Sequence, residues 1–188
     1  MLIKILSLIA AYLIGAIPTG YLVGRILMGK DIYRLGSGNP GTANALSTLG
    51  KLPGILVFVL DITKGLVAVA LVYLCGGRAI WLWSGGVAAV IGHIYPITMK
   101  FHGGKGLATG LAVVTVLMPI TIPIFLILWI PIYLLTHSVP LASAIGMLGV
   151  FIVLLLYGVW PGIIGSAIII WRHWPETVEY FKMRNVKL

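Results

Sequence analysis

The chain has 188 residues, of which 60% are hydrophobic and only 9% charged, where an ordinary soluble domain carries about 25% charged residues. A mean hydropathy of +1.11 excludes a soluble fold of this size, which has no interior large enough to hide so much apolar surface, and points to a bilayer. The formal charge of +9 comes from 13 basic residues set against only Asp31, Asp61, Glu176 and Glu179; they lie scattered between apolar segments, as residues facing anionic lipid head groups and anionic substrates do, and not in the dense runs that bind nucleic acid. The single Cys75 precludes an intrachain disulfide.

In chain order, the sequence predicts an all-α polytopic membrane protein forming one integral membrane domain over residues 1–188. Lys4 and the apolar run behind it begin like a signal peptide, but the run continues to Met28 with no small-residue cleavage site. That predicts a retained first span from Ile5 to Met28, kinked at Pro18. About 20 apolar residues cross the hydrocarbon core, so Leu52 to Cys75 qualifies despite Asp61 and Lys64, as does Ile80 to Met99. Leu107 to Thr136 and Leu141 to Trp171 are each about 30 residues long, too long for one untilted span. Both carry breakers near the middle, Pro119 and Pro123 in the first and Gly158, Pro161 and Gly162 in the second. Two hairpins of short helices give seven transmembrane helices; single tilted helices give five. Residues 174 to 188 mix Trp174, Val178 and Phe181 with basic residues and read as a short interfacial segment or as a frayed charged tail.

Orientation follows from the basic residues. With the N-terminus outside, the inside loops and tail hold Arg25, Lys30, Arg34, Lys51, Lys100, Lys105, Arg172, Lys182, Arg184 and Lys187, and the outside holds only Lys4 and Arg78. Either count of spans places the C-terminus in the cytoplasm.

Two glycine-rich loops then fall on the cytoplasmic face. The first reads Gly36-Ser37-Gly38-Asn39-Pro40-Gly41-Thr42-Ala43-Asn44. It contains G-x-G-x-x-G, but no strand precedes it and there is no room for a βαβ unit, so the dinucleotide reading fails. What carries over is the physics: close glycines let successive backbone amides converge on an anion, with Ser37, Asn39 and Asn44 as side-chain donors. An ordinary tight turn fits the same spacing. The second loop, Lys100-Phe101-His102-Gly103-Gly104-Lys105-Gly106, stands before an apolar run. It offers a glycine cradle and an ammonium at a helix N-terminus, where dipole and free amides favour an anion; a membrane-anchoring lysine beside a glycine turn is the plainer reading. Two such loops on one face together suit a pair of phosphates, held by Gly36, Gly38, Asn39, Gly41, Asn44, Gly103, Gly104 and Gly106.

Asp61 and Lys64, one helical turn apart inside the second span, read as a structural ion pair. His93, at the inner end of the third span, reads as a hydrogen-bonded packing residue. No histidine has an acidic residue five positions later, so the H-x-x-x-x-D pattern of many acyl-CoA acyltransferases is absent, and no Cys/His cluster has metal-ligand spacing. No metal and no cofactor is expected.

At these loops the sequence resembles the bacterial acyl-phosphate-dependent glycerol-3-phosphate acyltransferases. The resemblance is carried by Gly36-Ser37-Gly38-Asn39-Pro40-Gly41 with Asn44 and Leu49-Gly50-Lys51, by Leu60-Asp61 with Lys64-Gly65, and by Gly92-His93-Ile94-Tyr95-Pro96 running into Lys100-Phe101 and Gly103-Gly104-Lys105-Gly106 with Ala108-Thr109-Gly110. Leu141-Ala142-Ser143 and Arg172-His173 fit later motifs. The resemblance implies a seven-helix inner-membrane enzyme whose cytoplasmic site moves a fatty acyl group from acyl phosphate to sn-glycerol 3-phosphate. By matched position it implies Ser37, Lys105, Ser143 and His173 as active-site residues, with Asn39 shaping the first loop. The chain departs from the family pattern at Ala43 (usually threonine), at Ser47 (usually arginine) and at Glu176 (usually asparagine), which leaves open a paralog with an altered acceptor or low activity, or a catalytically dead scaffold. A transporter or channel for a small phosphorylated solute is the alternative of another class; against it, no inverted repeat is visible.

Overall fold

The structure, a computed structural model, describes residues 1–185; Lys187, expected among the cytoplasmic basic residues, lies outside the described residues. All regular structure among these residues is helical: α1 (Leu2–Gly15), α2 (Thr19–Met28), a 3-10 turn (Ile32–Arg34), α3 (Thr42–Thr48), α4 (Lys51–Leu74), α5 (Ile80–Ile94), a second 3-10 turn (Ile97–Met99), α6 (Leu107–Leu117), α7 (Thr121–Thr136), α8 (Val139–Leu156) and α9 (Trp160–Asn185). Among the described residues, four stretches are long and apolar enough to cross a membrane: Leu2–Met28, Lys51–Leu74, Ile80–Met99 and Val139–Leu156.

The breakers act where backbone chemistry requires. Pro18, with no N–H to donate, separates α1 from α2. Pro119 lies in the gap between α6 and α7, and Gly158, at φ +65°, takes the left-handed position between α8 and α9. Both long apolar runs are therefore divided into two helices, not drawn out as one. Pro123 and Pro161 do not break anything; each sits in the first turn of a helix, where a missing N–H costs nothing. At 11 residues α6 is about 16 Å long at 1.5 Å per residue, well short of a ~30 Å hydrocarbon core. The segment after Trp174 is not a separate element, because α9 runs unbroken through Pro175 to Asn185.

The chain divides into two compact units, residues 1–113 and 114–188. In the first, α1 packs on α4 and α5, and α3 on α4. Helix contact here depends on absent side chains, as it does wherever apolar helices meet without a hydrophobic drive between them. A Cβ on Gly15 would lie 2.1 Å from the Ala89 carbonyl oxygen, and one on Gly92 2.1 Å from that of Tyr12. Ala11, Ala68, Val72 and Ala89 fill the space between these helices. A second cluster, Val23, Ile32, Ala45, Leu49 and Val57, roots the polar loop between α2 and α3 in an apolar base. In the second unit α8 packs against α7 and α9, with Gly146 under Phe125 and Gly149 under Leu128.

Gly92→Ala should push α1 off α5, since its Cβ meets the backbone at the end of α1, Tyr12 O and, at 2.8 Å, Ala16 N. The expected cost is about 1–3 kcal/mol, read as a lowered thermal midpoint of the detergent-solubilised protein.

Candidate functional site

The first glycine loop is organised around one buried amide. Asn44, on the first turn of α3, is 5% exposed. Its side-chain oxygen accepts the Ser37 N–H at 3.1 Å, and its nitrogen donates to the carbonyls of Asn39 (2.9 Å), Leu35 (3.0 Å) and Ile32 (3.4 Å). Gly36 (φ +53°) and Gly38 (φ +70°) make the reversal possible, and a Cβ on Gly36 would stand 2.2 Å from the Asn44 oxygen. Asn39 caps the next corner by accepting the Gly41 N–H at 2.9 Å, and the Gly38 N–H returns to Leu35 at 2.9 Å. The amides of Ser37, Gly38 and Gly41 and both ends of the Asn44 side chain are thus bonded within the loop itself. What the shape leaves outward is the exposed Ser37 side chain and the first-turn amides of α3, the orphan donors of any helix start. The Thr42 hydroxyl, at the same helix start, is buried with no hydrogen-bond partner.

The second loop leaves α5 through Ile97–Met99 and turns with Lys100 at φ +51° and Phe101 at φ +63°. It then folds back on the helix it left, with the Gly103 N–H donating to Ile94 O at 3.0 Å and the Gly104 N–H to His93 O at 3.1 Å. Gly104 lies directly on the His93 ring; a Cβ there would be 2.1 Å from Nε2. Here too the glycine amides shape the loop. Lys105 stands between this seat and Gly106 (φ +84°), where α6 begins. The two loops meet: the Tyr33 hydroxyl, on the first, donates to the His102 carbonyl, on the second, at 2.7 Å.

Beneath the second loop lies a buried polar cluster. Asp61 is 1% exposed and Lys64 5%. Asp61 Oδ1 accepts from Thr19 Oγ1 at 2.6 Å and pairs with Lys64 Nζ at 2.9 Å, while His93 Nδ1 lies 3.4 Å away. Lys64 also donates to Ile17 O at 3.3 Å, and Thr109, on α6, donates to the Asp61 carbonyl at 3.0 Å. The ion pair expected from the spacing of Asp61 and Lys64 is present, but it is part of a larger device. Asp61 orients His93, and His93 carries Gly104. Thr19 and Tyr33 escape sequence reasoning because a lone threonine or tyrosine has no pattern, and Thr109 is visible only as part of a motif; the nearest signal is that an intramembrane carboxylate needs donors beyond a single lysine.

In the second unit Ser143 is fully buried on α8 and its Oγ accepts the Trp129 indole N–H at 3.2 Å. His173, 3% exposed on α9, turns Nδ1 to Ile169 O at 2.8 Å, and its carbonyl accepts from Thr177 Oγ1 at 2.9 Å.

The model of the glycerol-3-phosphate acyltransferase family matches residues 5–183. The chain belongs to this family. A glycerol-3-phosphate acyltransferase of Staphylococcus haemolyticus is 36% identical to this family member and covers 98% of it and 97% of its own length. One from Macrococcus caseolyticus is 39% identical over 154 residues, 81% of this chain and 78% of its own. Crystal structures of PlsY, an integral membrane glycerol 3-phosphate acyltransferase, superpose with a TM-score of 0.87 in the glycerol 3-phosphate form (35% identity, covering 96% of this chain and 93% of that one) and 0.84 in the lysophosphatidic acid form. This acyltransferase-family chain is thus an integral membrane protein, as its composition required.

Two substitutions test the geometry. Asp61→Leu leaves Lys64 buried without its carboxylate and should cost about 3–5 kcal/mol, measured as loss of folded protein in detergent. Gly104→Ala should lower both the thermal midpoint and activity, because its methyl group displaces the loop from the buried His93 ring.

Proposed function

We propose that the chain is a bacterial inner-membrane acyltransferase that moves a fatty acyl group from acyl phosphate to sn-glycerol 3-phosphate, giving lysophosphatidic acid and inorganic phosphate, the first acylation of phospholipid synthesis. The observation that carries this reading is the hydrogen bond joining the two glycine loops, Tyr33 Oη to His102 O, which sets the Ser37 turn and the Lys105 turn on one end of the same unit. Family membership supplies the reaction class, and the glycerol 3-phosphate form of the PlsY crystal structure supplies the acceptor.

Acyl phosphate is a mixed anhydride, already activated, so the protein has only to hold two anions at attack distance and to stabilise charge. The acceptor hydroxyl oxygen bonds to the carbonyl carbon, the carbon–oxygen bond to phosphate breaks, and the hydroxyl proton passes to His173 or to the departing phosphate. Lys105 neutralises phosphate charge. Ser37 and the start of α3 donate to the same or the second phosphate, and Asn39, Asn44 and the glycines hold those donors in place. Ser143 is assigned as a hydrogen-bond donor, and it and His173 enter through the family resemblance. The same reading sets the protein across the membrane in seven helices, with N-terminus outside, C-terminus inside and the loops facing the cytoplasm, where both phosphorylated substrates are found. Nothing in the chemistry calls for a metal or cofactor.

Ser47 bears on the acceptor. It is exposed, and its hydroxyl bonds back to Asn44 O at 3.0 Å, so this position presents no cation to a phosphate. An arginine there would add a bidentate clamp.

Purified protein given palmitoyl phosphate should release phosphate only when glycerol 3-phosphate is supplied, with lysophosphatidic acid appearing in equal amount. Lys105→Ala should lower kcat by roughly 10²–10³, the range for removing one preorganised charge-stabilising group. Release that ignores the acceptor, or an unaffected Lys105→Ala, sinks the assignment. Ser47→Arg should lower KM for glycerol 3-phosphate if that is the natural acceptor; a rise would mark a different one.

A further inference from the structure

We propose that Tyr33 is a positioning residue for acyl transfer, its hydroxyl fixing the separation of the two glycine loops, an inference that rests on the function proposed above. Tyr33 has a firm footing. Its neighbour Ile32 is fully buried in the apolar base of the first loop. Its own N–H is accepted by Asp31 Oδ1 at 3.2 Å, and the Asp31 carboxylate is held between Arg25 at 3.6 Å and Arg34 at 3.7 Å. The ring lies 6.2 Å from that of Tyr21. Burial and the Asp31 carboxylate push the phenol up to about 12, so the hydroxyl stays protonated and a donor throughout the working pH range.

The other end of the bond is a strained turn. Lys100 and Phe101 occupy successive left-handed positions, which side chains with a Cβ disfavour. The turn is closed by short-range bonds, Phe101 N–H to Pro96 O at 2.9 Å, His102 N–H to Met99 O at 3.0 Å and His102 Nδ1 to Lys100 O at 2.7 Å. The flanking residues tie the segment to α1 and α5, through Thr98 Oγ1 to Ala16 O at 3.0 Å and the Gly103 and Gly104 amides to Ile94 O and His93 O. The bond from Tyr33, 69 positions earlier in sequence, ties it to the first glycine loop. It ends three residues before Lys105. A strained turn held from a rigid base persists because its surroundings over-determine it, and a shift of about 1 Å in a positioning group is enough to cost rate or affinity.

The test is Tyr33→Phe in the full-length protein, which keeps the ring and removes the bond. Phosphate release from palmitoyl phosphate is followed against glycerol 3-phosphate concentration, and amide hydrogen exchange is followed across residues 99–106. The expected result is a rise in KM for glycerol 3-phosphate of roughly five- to tenfold, the worth of one hydrogen bond. Alongside it, kcat stays within about twofold, the thermal midpoint is unchanged, and exchange quickens in 99–106 but not in the helices. Phe101→Gly added to Tyr33→Phe relaxes the turn and should recover most of the lost affinity. Unchanged KM and exchange, or a fall in kcat together with a lowered midpoint, overturns the inference while leaving wild-type acylation intact. So does loss of folded protein on removing this one hydroxyl, which would make Tyr33 a stability residue. A wild type inactive with every polyol phosphate instead removes the proposed function, and the exchange measurement still decides whether the tether exists.

Discussion

A carboxylate in an apolar interior is tolerable only when its charge and lone pairs are met, and the first unit is arranged around meeting those of Asp61. Threonine from α2, lysine from its own helix and histidine from α5 converge on one oxygen, while a threonine from α6 takes the main-chain carbonyl of the same residue. Four helices are therefore registered against one another by a single side chain and its backbone. Apolar packing between membrane helices is non-directional and tolerates sliding; a buried polar cluster does not, because any slip leaves a charge unmet. That restriction gives His93 one orientation and, through it, gives Gly104 one resting place.

The glycine loops work on the same principle one level up. Neither is a string of free amides waiting for an anion. The first is shaped by Asn44, which supplies four hydrogen bonds from within, and the second by its return to the end of α5. Rigid loops of this kind spend main-chain donors on shape, and that shape fixes the backbone at Ser37, at the start of α3 and on either side of Lys105. Glycine is required where two backbones or a backbone and a ring touch.

Small residues serve the helices in the same way. Gly15 and Gly92 let α1 and α5 approach until backbone meets backbone, and the alanines between them complete a contact with few rotamers to order. The proximity of these helices is what delivers the end of α5, and the loop that follows it, to the level of the loop after α2.

Composition and run length by themselves determined that the chain is helical and embedded in a bilayer, since no other solvent accepts that much apolar surface, and unbroken apolar runs of about 20 residues suit spanning helices where barrel strands would be short and alternating. Breaks at Pro18, Pro119 and Gly158 were equally legible, because proline lacks a donor and glycine accepts a left-handed turn. The paired loops and the Asp61–Lys64 pair could be read from spacing, as could the family, from ordered motifs. Tertiary structure alone decided that Asn44 turns inward, that Thr19, His93 and Thr109 share Asp61, and that Tyr33 ties the loops together. Apart from those of Asn44, these are contacts between residues far apart in sequence, and a single hydroxyl or amide has no periodicity by which a sequence could announce where its partner lies.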